Sequence, residues 1–125
     1  MNNHNPILYS LCMHSVSIMD GWIPFPSTCI ALVTQIDLKT VRKELKRLKK
    51  EGLVDSDLYV EAGEERPILV RGYIVTERGK QTEEYKHAHE VERRICKEAF
   101  DIDIGEVGHL DYCFENCVEV HLNDL

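Results

Sequence analysis

The sequence has no apolar run approaching the roughly 20 residues that a membrane-spanning helix needs, which excludes such a helix. It has no internal repeat and no low-complexity tract. Its glycines form no phosphate-cradling loop. Ser10, Ser15, Ser17 and Ser27 show no partnered His–Asp pattern, and the carboxylates gather in a tail instead of pairing across an apolar cleft. The expectation is therefore a protein that is not an enzyme, with no catalytic residue and no cofactor. The opening MNNHNPILYSLC lacks the basic start and small-residue cleavage site of an export signal. The five cysteines are odd in number and sit mostly in apolar-patterned stretches, as buried thiols of a reducing compartment do. A cytoplasmic location follows as an expectation.

From residue 101 onward lysine and arginine are absent, while seven acids are present. Residues 1–76 carry nine charges of each sign and residues 77–100 carry six of each, so the net charge of −7 belongs to the last 25 residues. The rest is balanced, and one stretch is far from neutral: DLKTVRKELKRLKKEGLV, residues 37–54, contains seven lysines and arginines. For a partner that meets this stretch, local potential matters more than the acidic total.

Asn5-Pro6 reads as a helix start, and Leu8, Leu11, Cys12, Ser15 and Met19 recur at helical spacing, which predicts a first helix over about 6–19. DGWIPFP breaks it. Ser27 is the expected cap of a short second helix over roughly 28–34 with Ile30 and Ala31 inward. Asp37 caps a third helix, residues 38–51. At ~100° per residue, Leu38, Val41, Leu45 and Leu48 make one narrow apolar stripe, and Lys39, Lys43, Lys46 and Lys50 fall within about 60° of one another on the opposite side. Gly52 ends the helix. LVDSDLYV and ILVRGYIV flank EAGEERP and predict two antiparallel strands. Thr76 is expected to cap a long helix over about 77–100 with a stripe of Tyr85, Ala88, Val91, Ile95 and Ala99. The expected fold class is mostly α with a small antiparallel β-hairpin, followed by a C-terminal helical segment patterned on Leu110, Cys113, Phe114, Cys117 and Val118.

PSTCIALVTQIDLKTVRKELKRLKKEGLV followed by RGYIVTERGK resembles the winged helix-turn-helix superfamily, and in particular regulators of the MarR, PadR and GntR kinds, over about residues 5–90. The resemblance implies an α-α-α-β-β-α winged domain over 1–76 and a dimerisation helix with an acidic cap over 77–125. It implies a recognition helix over 38–51 that enters the major groove of double-stranded DNA in a transcriptional regulator. It further implies that Tyr85, Ala88, Val91, Ile95 and Ala99 form a homodimer interface. On the residues themselves, Lys39, Thr40 and Lys43 are placed to reach base edges, and Arg42, Lys46 and Lys50 to meet phosphates, with Arg47 on the same helix. Lys49 lies nearer the apolar stripe, where its stem covers the core edge.

Two departures stand out. Gln35 occupies the turn position where many such motifs carry glycine. The hairpin tip holds Glu61, Glu64 and Glu65 against Arg66, which leaves Arg66 and Arg71 as the only phosphate-directed cations of the wing. An alternative is a winged module that binds protein and no DNA, and another is a replication or partition factor of a phage or plasmid. His109, Cys113, Cys117 and His121 recur every four residues, but four such ligands on a straight helix span about 18 Å and cannot surround one ion. Core packing accounts for the two cysteines, and no metal site is expected.

Overall fold

The computed structural model describes residues 4–17, 21 and 23–106. The fold is mixed, with four helices and a small three-stranded antiparallel sheet. Helix α1, Pro6–Val16, starts where Asn5 Oδ1 accepts the amides of Ile7 at 3.0 Å and Leu8 at 3.2 Å, two of the four donors a helix start leaves open. It ends earlier than the apolar spacing suggests: Ser17 is already extended. Met19 lies outside the described residues.

A two-residue strand, β1 (Phe25–Pro26), precedes α2, Ser27–Thr34. Ser27 is the first helical residue and not the cap, because Pro26 occupies the cap position and supplies no side-chain acceptor. Ile30 is fully buried and Ala31 partly so. Gln35 ends α2 in the left-handed region at φ 59°, so the turn that commonly takes glycine is made here by a residue with a side chain.

Helix α3, Leu38–Lys50, is capped by Asp37, and its stripe of Val41, Leu45 and Leu48 is buried to 1% exposure or less. Each such side chain contributes about 1.5–3 kcal/mol on leaving water. At its C-terminus the Leu53 amide donates to Leu48 O and the Gly52 amide to Lys49 O, both at 3.0 Å, with Gly52 at φ +79°. This closing pair of bonds requires a left-handed residue, and glycine supplies it without strain.

Strands β2 (Val54–Glu61) and β3 (Ile68–Val75) pair in register from Val54↔Val75 to Glu61↔Ile68. The sheet order is β1-β3-β2, with Pro26 opposite Gly72. A Cβ at Gly72 would stand 2.5 Å from Pro24 Cβ, so only glycine lets the β1 segment approach. Thr76 does not cap the last helix. Its hydroxyl donates to Gly52 O at 2.6 Å and accepts the Gly79 amide at 3.0 Å, which joins the end of α3 to a single 3-10 turn, Gly79–Gln81. Thr82 then caps α4, Glu83–Phe100.

Helix α4 lies on α1, and Tyr85 and Ala88 enter the core formed by Ile7, Leu8, Leu11 and Cys12. The core therefore continues past residue 76, where the sequence suggests a domain boundary. Asn5 ties the three longest helices: its backbone amide donates to Glu84 Oε2 at 2.9 Å and its side chain to Glu44 Oε1 at 3.0 Å. Burial pushes the Cys12 thiol up to about 12, with Glu84 adding to the rise, so it stays protonated and unreactive. After Asp101, at φ 54°, residues 102–106 are not helical, and Ile104 covers Cys96. The expected C-terminal helical segment, with Cys113, Phe114, Cys117, Val118 and the flanking His109 and His121, lies outside the described residues.

Candidate nucleic-acid interface

The basic strip forms on α3 because its apolar stripe is held by the core, which turns every other position outward. Lys39, Arg42, Lys43, Lys46 and Lys50 are all exposed, and among the described residues none of them meets a carboxylate within ion-pair distance. Their charge is available to a partner.

Two expected members of the surface are committed elsewhere. Arg47 is bridged at once by Glu44 one turn earlier and Glu51 one turn later, the latter at 2.7 Å. The guanidinium holds the Glu44 carboxyl below its usual range, and Glu44 in turn raises Arg47. This triad carries net negative charge. Thr40 donates its hydroxyl to Asp37 Oδ1 at 2.7 Å, and Asp37 Oδ2 accepts the Thr40 amide at 3.0 Å. Thr40 is thus part of the cap.

Between α3, the start of α2 and the sheet lies an open cleft of about 550 Å³. Arg42, Lys46 and Lys49 line it from α3, Arg71 and Ser56 from the hairpin, and Ser27 and Thr28 from the first turn of α2. Pro26, Leu69 and Tyr73 give it apolar walls. Ser56 Oγ accepts from Lys49 Nζ at 2.8 Å and from Arg71 NH1 at 3.2 Å. Among the described residues, the one carboxylate within ion-pair distance of these cations is Asp55, 3.9 Å from Lys49, with both side chains about half exposed. An exposed pair at that distance is worth little.

The cleft holds two residues that sequence reasoning does not find. Lys49, whose position on the helix suggests a stem over the core edge, points its ammonium into the cleft, and Ser56 carries no sequence signal of its own. No periodicity marks either, since the hairpin register is what sets Arg71 opposite Leu58 and two places from Ser56. The Arg47 bridges, by contrast, are local, and the i−3 and i+4 spacing of Glu44 and Glu51 is a readable signal.

Arg66 is exposed in the hairpin loop among Glu61, Glu64 and Glu65. The flanking strands expose Leu58, Val60, Ile68 and Leu69. The expected dimer stripe is divided by the structure: Tyr85 and Ala88 are buried against α1 in the same chain, Val91 is half-buried, and only Ile95 and Ala99 are exposed, beside Phe100. The first two cannot face a second copy while α4 packs on α1.

Among the described residues no group of three or more histidines, cysteines or carboxylates is disposed to hold a metal ion, and no helix is long and apolar enough to cross a membrane. Among the described residues Cys12, Cys29 and Cys96 form no disulfide. No family model, no curated protein and no solved structure matches the chain.

Proposed function

We propose that the chain binds double-stranded DNA as a winged helix-turn-helix protein and serves as a sequence-specific transcriptional regulator. One observation carries the reading: five exposed cations of α3 have no carboxylate partner among the described residues, on a helix whose entering end is capped and whose opposite face is buried. A helix of that kind fits a major groove, with Lys39 and Lys43 toward base edges and Arg42, Lys46 and Lys50 toward phosphates. The order α-β-α-α-β-β-α and the sheet order β1-β3-β2 are compatible with a winged domain in which the hairpin is the wing. Two copies would meet through what α4 leaves open, Ile95, Ala99 and Phe100. Selection of bound sequences from random duplex DNA tests the reading. A recovered consensus supports it, and a pool indistinguishable from the input counts against it.

A second reading, a winged module that binds protein, draws on the hairpin itself. Its acidic tip repels phosphates, and its exposed Leu58, Val60 and Leu69 share one face of the hairpin as an apolar patch beside that acid. The same selection separates the two, because this reading predicts no DNA consensus.

A further inference from the structure

We propose that the cleft between α3 and the hairpin is a binding site for a single phosphate group, carried either by a small phosphorylated ligand or by a nucleic-acid backbone. Arg47 of α3 is bridged by two carboxylates, whereas Arg42, Lys46 and Lys49 of α3 converge with Arg71 of β3 on one cleft.

Ser56 makes this a site and not merely a patch. Its oxygen accepts from Lys49 and from Arg71, which uses both lone pairs and leaves its own proton to donate. A neutral hydroxyl holds the two cations in place without cancelling their charge. An entering phosphate then meets one hydroxyl donor, two fixed cations, and the free ends of Arg42 and Lys46. Arg71 supplies a planar fork suited to two phosphate oxygens. The apolar walls of Pro26, Leu69 and Tyr73 reduce screening by water on one side, which strengthens the attraction.

Arg42 and Lys46 belong both to this cleft and to the outward face of α3. A phosphorylated small molecule seated here would therefore weaken duplex binding. That consequence, though not the site itself, rests on the DNA reading above.

The test is titration of the full chain with inorganic phosphate at constant ionic strength, following backbone amide shifts of Ser27, Thr28 and Ser56. A parallel titration uses a short duplex. Saturable shifts confined to the cleft are expected, with affinity at least tenfold lower in Lys49→Gln/Arg71→Gln and unchanged in Lys97→Gln. Ser56→Asp, which puts a carboxylate among the same cations, should abolish the response, and melting curves show that each variant is folded. Saturation by free phosphate, with displacement of duplex, assigns the site to small ligands. Cleft shifts with duplex alone assign it to a backbone phosphate. Cleft shifts that saturate with neither probe, or that survive Ser56→Asp, overturn the site even if duplex binds elsewhere. Phosphate saturation without any duplex binding would leave the site standing and remove the DNA reading.

Discussion

Thr40 donates two hydrogen bonds to the Asp37 carboxylate, hydroxyl to Oδ1 at 2.7 Å and amide to Oδ2 at 3.0 Å, and together they begin the helix that carries the basic strip. These bonds to the ionised form hold the Asp37 carboxyl below its usual range. A depressed carboxylate stabilises the fold fully above its unfolded value, near 3.8, and that contribution fades as pH falls through the folded value. Asp37→Asn, which keeps only one of the two acceptor oxygens and no charge, should therefore melt below wild type near neutrality and lose less on acidification below about pH 4. Asp37→Ala should melt lower at neutral pH, where thermal melting reads the missing cap.

The division among the cations predicts how salt acts on binding. A side chain that meets one phosphate contributes about one unit to the slope of log affinity against log salt, so Arg42→Gln and Lys46→Gln should each flatten it measurably. Arg47→Gln paired with Glu51→Gln leaves the local charge as it was, and binding to duplex should not change. Fluorescence anisotropy across a salt series reads both, and an unaltered slope in an Arg42→Gln/Lys46→Gln double variant would remove these residues from the interface.

Leu45 is fully buried at the centre of the α3 stripe. Leu45→Ala should cost about 2–5 kcal/mol of unfolding free energy, the usual range for a core cavity of this size, as measured by urea denaturation. A decrease under about 1 kcal/mol would mean that α3 does not seat on this core.

His89 is 2% exposed, and its Nε2 has no hydrogen-bond partner among the described residues. Burial holds its pKa below the ordinary imidazole value, Arg93 acts in the same sense, and Glu106 and Glu90 oppose it. The folded state thus favours neutral imidazole. Stability from this group is complete above the unfolded value, near 6.5, and is lost as pH falls below it, because the unfolded chain takes up the proton that the folded chain resists. Denaturation midpoints at about pH 8 and about pH 5 should differ more in wild type than in His89→Gln.

What the amino-acid order determined by itself is whatever depends on neighbours within a turn or two. The 3.6-residue period of Val41, Leu45 and Leu48 set the buried face of α3, and hence the outward face of its lysines, because a helix has only one way to project residues four apart. Asn5, Asp37 and Gly52 marked helix ends through bonds to atoms within a few residues. The same locality misled at Ser27 and Thr76, where several capping residues competed and the distant partners of Thr76, Gly52 above all, decided. Tertiary structure alone settled three things. Helix α4 spends Tyr85 and Ala88 on α1, so half of an apparently free stripe is internal. The short β1 strand forms only because Gly72 admits Pro24. Lys49, Ser56 and Arg71 become one cleft through the hairpin pairing, a meeting of residues 7 to 22 positions apart that no period in the sequence encodes, because strand register is fixed by which side chains the assembled core buries.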